Sequence, residues 1–151
     1  MTKQRETPMA LAFDEAEQAG WRGEVPVGAV LAGPDGAVVA AAGNEVEARG
    51  DPTAHAEMLV LRAGVAALGR KQLDGCDLYV TLEPCPMCAA AIALARVRRL
   101  YFGAYDPKSG GVEHGPRIFA QPTCHHRPEI YGGIDERRAG ALLRAFFAAR
   151  R

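Results

Sequence analysis

Two short stretches hold the residues best suited to chemistry: His55-Ala56-Glu57 and Pro84-Cys85-Pro86-Met87-Cys88. Each opens a segment whose pattern predicts a helix. Cysteines at i and i+3 of a helix start lie on the same side of its first turn, where unpaired N–H groups carry positive partial charge. That field favours thiolate, the form of cysteine that binds metal. Cys85, Cys88 and His55 together form a three-ligand set for one zinc ion (Zn2+) per chain. The fourth tetrahedral position is left to water, as in catalytic rather than structural sites. A closed structural site needs another protein ligand, from Cys76, Cys124, His114, His125 or His126. None of these stands at the spacing of an obvious partner.

Glu57 follows His55 by two positions, and residues two apart on a regular helix do not share a face. Both reach one metal-bound water only if His55 sits at an irregular helix start, for which Pro52 and Thr53 provide. Glu57 is then a carboxylate beside the metal and not a ligand on it. Its expected role is catalytic, as general base toward water and general acid toward a departing amine. The alternative is an exposed glutamate in a first helical turn. The chemistry open to the set is metal-assisted hydrolysis that releases an amine.

The elements that must position these residues can be read from periodicity. Thr7-Pro8, then Met9, Phe13 and Ala16, then Gly20 predict a capped first helix. Val25 to Ala32 and Ala37 to Gly43 flank Pro34-Asp35-Gly36 and predict a β-hairpin. A helix is expected from Thr53 to about Leu68, with Met58, Leu61 and Val65 at helical intervals. Then come a strand over Asp77 to Leu82, a helix over Pro86 to Ala95 and a strand over Val97 to Phe102. This βαβ alternation predicts a parallel strand pair. Gly103 to Pro128 is expected to be a long functional loop with one helical turn near Arg117 to Phe119. Glu129 to Tyr131 suits an edge strand, and Asp135 to Arg150 an amphipathic helix with Leu142, Leu143, Phe146 and Phe147 on its apolar side. The fold class is α/β, a mixed sheet of about five strands flanked by helices, within one domain spanning residues 1–151.

Composition supports a folded domain, since 48% of the 151 residues are hydrophobic and no low-complexity run interrupts them. The polar, mixed-charge start lacks a secretory pattern and the apolar runs are too short to cross a bilayer as helices, so a cytoplasmic protein without membrane contact is expected. There the four cysteines should be reduced and available to metal. Overall charge is zero but unevenly spread: residues 1–89 carry seven basic and thirteen acidic side chains, residues 90–151 eleven and five. Arg96, Arg98, Arg99, Arg144, Arg150 and Arg151 could form a phosphate-binding footprint. Solvated helix faces are the plainer explanation.

The His-Ala-Glu and Pro-Cys-x-x-Cys pattern resembles the cytidine deaminase superfamily of zinc deaminases, whose general mechanism is the one described above. Further stretches narrow the likeness. Glu24 to Val30, Asn44, Asp51 to Glu57, Leu78 to Cys85, Phe102 to Ala104, Asp106 to Gly110, His126 to Ile130 and Leu142 to Phe147 look like bacterial tRNA-specific adenosine deaminases. The likeness runs from about residue 8 to the C-terminus. The segment Val112 to His125 departs from it, so its contacts do not carry over.

This resemblance implies the three-layer α/β/α cytidine-deaminase-like fold, and conversion of adenosine to inosine at the wobble position of a tRNA anticodon. It also implies a homodimer with the tRNA anticodon loop as partner. By analogy Asn44, Ala56, Pro84 and Asp106 contact substrate, Asn44 holding the nucleoside and Asp106 the neighbouring backbone. Asn44 after a strand and Asp106 before Pro107 are also ordinary turn residues. Two other functions share these residues: deamination of a free base or nucleoside such as guanine or cytidine, and a non-catalytic zinc-stabilised tRNA-binding subunit.

Overall fold

A computed structural model describes residues 6–150. In chain order the elements are α1 (Pro8–Trp21), β1 (Gly28–Ala32), β2 (Val38–Gly43), α2 (Val46–Arg49), α3 (Ala56–Leu68), β3 (Asp77–Leu82), α4 (Pro86–Ala95), β4 (Arg99–Ala104), a 3-10 turn (Ile118–Ala120), β5 (Glu129–Tyr131) and α5 (Glu136–Ala148). The strands form one sheet in the order β2-β1-β3-β4-β5. β1 is antiparallel to both β2 and β3, while β3 and β4, and β4 and β5, run parallel. The βαβ alternation of β3, α4 and β4 therefore gives the expected parallel pair.

Alternation along the strands separates two apolar layers. Ala29 and Leu31 of β1, Leu78 and Val80 of β3, and Leu100 and Phe102 of β4 meet Ala56, Val60 and Leu61 of α3 and Ala89 and Ile92 of α4. On the other face Val30, Tyr79 and Tyr101 join Met9, Ala12 and Phe13 of α1 and Ala139 of α5. Helices on both faces of the sheet give the three-layer α/β/α fold. Among the described residues no helix is long and apolar enough to cross a membrane.

Thr7 caps α1 as expected, its hydroxyl accepting the Ala10 amide at 3.1 Å. Several boundaries differ from the sequence reading. α1 runs one residue past Gly20. β1 starts at Gly28 rather than Val25, because Val25 to Val27 turn off the sheet edge, with the Val27 amide bonded to the Val25 carbonyl. α3 starts at Ala56 rather than Thr53, since Asp51 captures the Thr53 amide and hydroxyl in a local turn, both at 2.8 Å. β4 lies at Arg99–Ala104, shifted two residues from the expected span by the left-handed Arg96 that ends α4. On α5, Phe147 is 48% exposed and Ala139 provides the buried contact.

The short α2 escaped the sequence reading. Its N-terminal amides are capped by Glu24, which is remote in sequence: the carboxylate accepts from Glu47 at 2.9 Å and Ala48 at 2.8 Å. Four residues have too little periodicity to register alone.

Paired glycines let α1 lie against the sheet. Gly28 and Gly43 face each other across β1 and β2. A Cβ at Gly28 would fall on the Ala12 carbonyl and 2.6 Å from the Ala16 amide nitrogen. Gly28→Ala is therefore expected to cost about 1–3 kcal/mol by overpacking, read as a lower urea midpoint with an unchanged slope. An unchanged midpoint would show that α1 has room to move.

Candidate active site

The two chemical stretches meet where α3 and α4 begin. His55 is the N-cap of α3, with φ −71° and ψ 149°, and Cys85 is the N-cap of α4, with φ −70° and ψ 170°. Both side chains leave extended backbone just before a helix, which frees His55 from the helical spacing that would separate it from Glu57. Cys88 follows one turn into α4. The His55 Nδ1 lies 3.6 Å from the Cys85 sulfur and 3.5 Å from the Cys88 sulfur. Tetrahedral zinc, with bonds of about 2.3 Å to sulfur and 2.0–2.1 Å to nitrogen, needs nitrogen and sulfur about 3.5 Å apart. The three donor atoms lie within 4.8 Å of one another and fit that ion.

The electrostatics of the trio suit metal. The Cys88 thiol, donating to Cys85, holds the Cys85 pKa down to about 4, with His55 adding to the effect. Cys88 itself is pushed up, first by its contact with the Cys85 thiolate and then by burial. Two adjacent sulfurs cannot both hold charge cheaply without a cation between them. Contact with Cys85 raises the His55 pKa.

Glu57 lies in the first turn of α3 and is buried, 4% exposed. Burial raises its pKa to about 7, so the carboxyl can hold or release a proton near neutrality. A divalent cation on the adjacent ligands works the other way and favours the carboxylate.

Above this cluster opens a cavity of about 820 Å³, with His55, Glu57 and Cys85 in its lining and Asn44, Asp106 and Arg150 among its walls. Its size suits a nucleoside with part of its surroundings. Asn44 is tied down at both ends of its amide: Oδ1 accepts the Ala56 amide at 2.8 Å, and Nδ2 donates to the Val25 carbonyl at 3.2 Å. One further N–H and one acceptor position remain on it. The amide of Ala56 is spent on Asn44. The carbonyl of Pro84 accepts the Gly111 amide at 2.8 Å, so both residues back the wall through their main chains. Asp106 Oδ1 accepts the amides of Lys108 at 3.2 Å and Ser109 at 3.0 Å, a turn at the cavity rim.

The arginine footprint does not assemble here. Arg98 donates twice to Asp77, both at 3.0 Å, and Arg99 to Glu129 at 2.8 Å. These residues stand where β3, β4 and β5 begin, whereas Cys85 and Cys88 follow the end of β3. Parallel pairing puts strand starts together at the far side of the sheet from strand ends. Of its described members only Arg150 reaches the cavity, its guanidinium stacked 3.5 Å above the Phe146 ring centroid. Arg151 lies outside the described residues.

Two buried carboxylates at the site had no role in the sequence reading. Glu24 holds α2, and Glu83 gathers the loop after β4. Burial pushes the Glu83 carboxyl up, but the amide of Asp106, the His114 ring and the amides of Glu113 and Val112 outweigh it, and the net direction is down. The only signal in the sequence is an acidic residue set between an apolar strand and the Pro-Cys turn.

Residues 2–104 match the cytidine and deoxycytidylate deaminase zinc-binding region. The chain belongs to this family of zinc deaminases. Over 143 residues it is 57% identical to a tRNA-specific adenosine deaminase of Agrobacterium fabrum, covering 95% of this chain and 93% of the relative. A solved structure from a study of A-to-I editing by tRNA:A34 deaminases at the wobble position of transfer RNA superimposes with a TM-score of 0.89 at 56% identity. That match covers 92% of this chain and all (100%) of the other. Guanine deaminase from Bacillus subtilis is more distant, with a TM-score of 0.66 at 32% identity over 98% of this chain and 94% of that one. A zinc ion, as this family's name describes, fits the cluster of His55, Cys85 and Cys88.

Removing that ion should expose the contrast between the sulfurs. In chelator-treated protein, Cys85 is expected to alkylate fastest and to stay reactive down to about pH 5, because its thiolate persists above a pKa of about 4. Cys76, whose thiol is raised by burial, should stay unmodified. Mass spectrometry of iodoacetamide-labelled peptides reads both, and faster labelling of Cys76 would contradict the assignment.

Proposed function

We propose that this protein deaminates adenosine to inosine at the wobble position of tRNA anticodons. The observation that carries the chemistry is the placement of buried Glu57 beside the cluster of His55 Nδ1 and two cysteine sulfurs. The tRNA substrate is supported by the 57% identical relative named tRNA-specific adenosine deaminase, and the wobble position by the similar structure from the study of A-to-I editing.

Zinc, when bound, supplies the Lewis acidity that makes water a nucleophile at neutral pH. Glu57 would carry one proton from the attacking water to the purine ring nitrogen, and then the proton of the new C6 hydroxyl to the departing amine. One carboxyl can serve each transfer because it stands beside the cluster and gives up each proton before it takes the next. Net, one water is consumed and one ammonia released.

Asn44 uses its remaining N–H and acceptor to hold the nucleoside, and its bond to Ala56 fixes it relative to the first turn of α3. Pro84 acts through the main chain that backs the wall, and the Asp106 carboxylate takes the neighbouring ribose-phosphate backbone. A stacked anticodon base cannot reach the metal, so the target base must be splayed into the cavity, and tRNA adenosine deaminases are themselves an instance of that rule.

Two further expectations belong to this reading. Four cysteines, all free, suit a reducing cytoplasm where tRNA is found. A homodimer is supported by α4, where Leu94 is 81% exposed beside an apolar groove that includes Ala90, Ala93 and Ile118.

Glu57→Ala is expected to keep one zinc per chain while inosine formation in total tRNA falls at least about 100-fold. Zinc content by atomic emission and nucleoside analysis of digested tRNA check this. Parallel incubations with free adenosine, cytidine and guanine test the rival substrates: ammonia from free guanine with no inosine in tRNA would replace the proposal with a free-base deaminase. Unchanged turnover in Glu57→Ala would remove Glu57 from the mechanism.

A further inference from the structure

The loop between β4 and the 3-10 turn is organised around one side chain. Glu83, the residue after β3, has a fully buried carboxylate, with 0% side-chain exposure. Its Oε1 accepts the Asp106 amide at 3.0 Å and the His114 Nδ1 at 2.8 Å. Its Oε2 accepts the amides of Val112 at 3.2 Å, Glu113 at 2.9 Å and His114 at 3.2 Å. The loop enters and leaves on the same carboxylate. A buried carboxylate without such donors is costly, and a loop whose amides lose their acceptor is costly too, so each holds the other in place.

Sterics independently show that the loop is built to reach Glu83. A Cβ at Gly110 would fall on Glu83 Oε2 and 2.5 Å from the Asp106 carbonyl. A Cβ at Gly111 would come within 2.5 Å of the Pro86 nitrogen and 2.8 Å of the Cys85 carbonyl carbon. Gly115 has φ +57°, and its Cβ would stand 2.6 Å from the Gly110 carbonyl oxygen. Three glycines thus let the chain wrap the carboxylate while resting on the turn that carries Cys85. Asp106 and Ser109, from the same loop, line the cavity. His114, the only side chain among the donors to Glu83, lies in the segment where this chain departs from the resembled family pattern.

We propose that Glu83 is a positioning residue for substrate: by gathering four loop amides and the His114 ring, it fixes residues 105–115 as a preformed cavity wall and sets where Asp106 stands. Substrate then meets a wall already ordered, and the cost of ordering the loop is not charged to binding. Losing the clamp should therefore weaken binding more than it slows the chemical step. The His114 ring is the adjustable part, being one-third exposed and the sole donor not fixed in the main chain.

The test uses zinc-loaded full-length protein and an anticodon stem-loop RNA. The three variants are His114→Ala, His114→Asn and Glu83→Gln. In Glu83→Gln, both carboxylate oxygens receive donors, so either amide orientation sets an NH2 against N–H groups.

His114→Ala is expected to raise KM about fivefold with kcat within about twofold and zinc content unchanged. His114→Asn, which places a donor nitrogen where Nδ1 stood, should restore KM. Glu83→Gln should raise KM by about tenfold or more. It should also lose hydrogen-exchange protection at the amides of 106 and 112–114 while β1 and β3 keep theirs.

Should Glu83→Gln fail to fold, the two His114 variants decide. Unchanged KM in His114→Ala, or a fall in kcat and zinc together without a KM change, overturns the proposal. The kinetic part rests on the tRNA reading. If the wild-type protein forms no inosine, that reading fails, while loop exchange still judges the clamp: retained protection at 106 and 112–114 in Glu83→Gln overturns it.

Discussion

The structure depends on two helix starts brought face to face. His55 ends the extended segment before α3 and Cys85 the one before α4, and the gap between them closes to 3.6 Å. Cys88 joins them from the first turn of α4. An N-cap has β-like backbone, so its side chain leaves at an angle that no helical position offers. The same geometry directs the positive ends of both helices toward the sulfurs and toward a buried glutamate, which lowers the cost of the negative charge gathered there.

Around that junction lie three buried glutamates, handled in two ways. Glu24 and Glu83 receive backbone amides, and their compensation is structural: one pins α2 and the other pins the loop after β4. Glu57 is not neutralised by such a set of amides, and burial raises its pKa to about 7. A carboxyl that must move protons needs that freedom, and one that must hold a wall does not. The contrast fits the proton-transfer role proposed for Glu57, with support from its two neighbours.

The sheet sets the direction of the whole assembly. β3 and β4 run parallel, so both end toward the cavity, and the turns that leave them supply Cys85 on one side and Asp106 on the other. Asp77, Arg98, Arg99 and Glu129 sit at the strand starts and bind one another. They fasten the edge of the sheet at the side away from the metal site, where Tyr79, Tyr101 and Tyr131 also stack across the three strands.

Much of this was legible in the chain itself. The pairing of Cys85 with Cys88, the hairpin, the βαβ alternation and the edge strand could be read because local spacing decides them, and the fold brings His55 to both sulfurs. Cysteines three apart meet in any helix, apolar period fixes element type, and Pro34-Asp35-Gly36 turns the chain wherever it occurs. The sequence also required that His55 stand outside the regular helix if Glu57 was to share its target. Tertiary structure alone decided what depends on partners distant in sequence. These are the capping of α2 by Glu24, the loop gathered by Glu83, the binding of both ends of the Asn44 amide, and the separation of Arg98 and Arg99 from the cavity. A side chain's type states which bonds it can make, but a buried carboxylate is compensated by whichever amides the fold brings to it, and no local spacing records which those are.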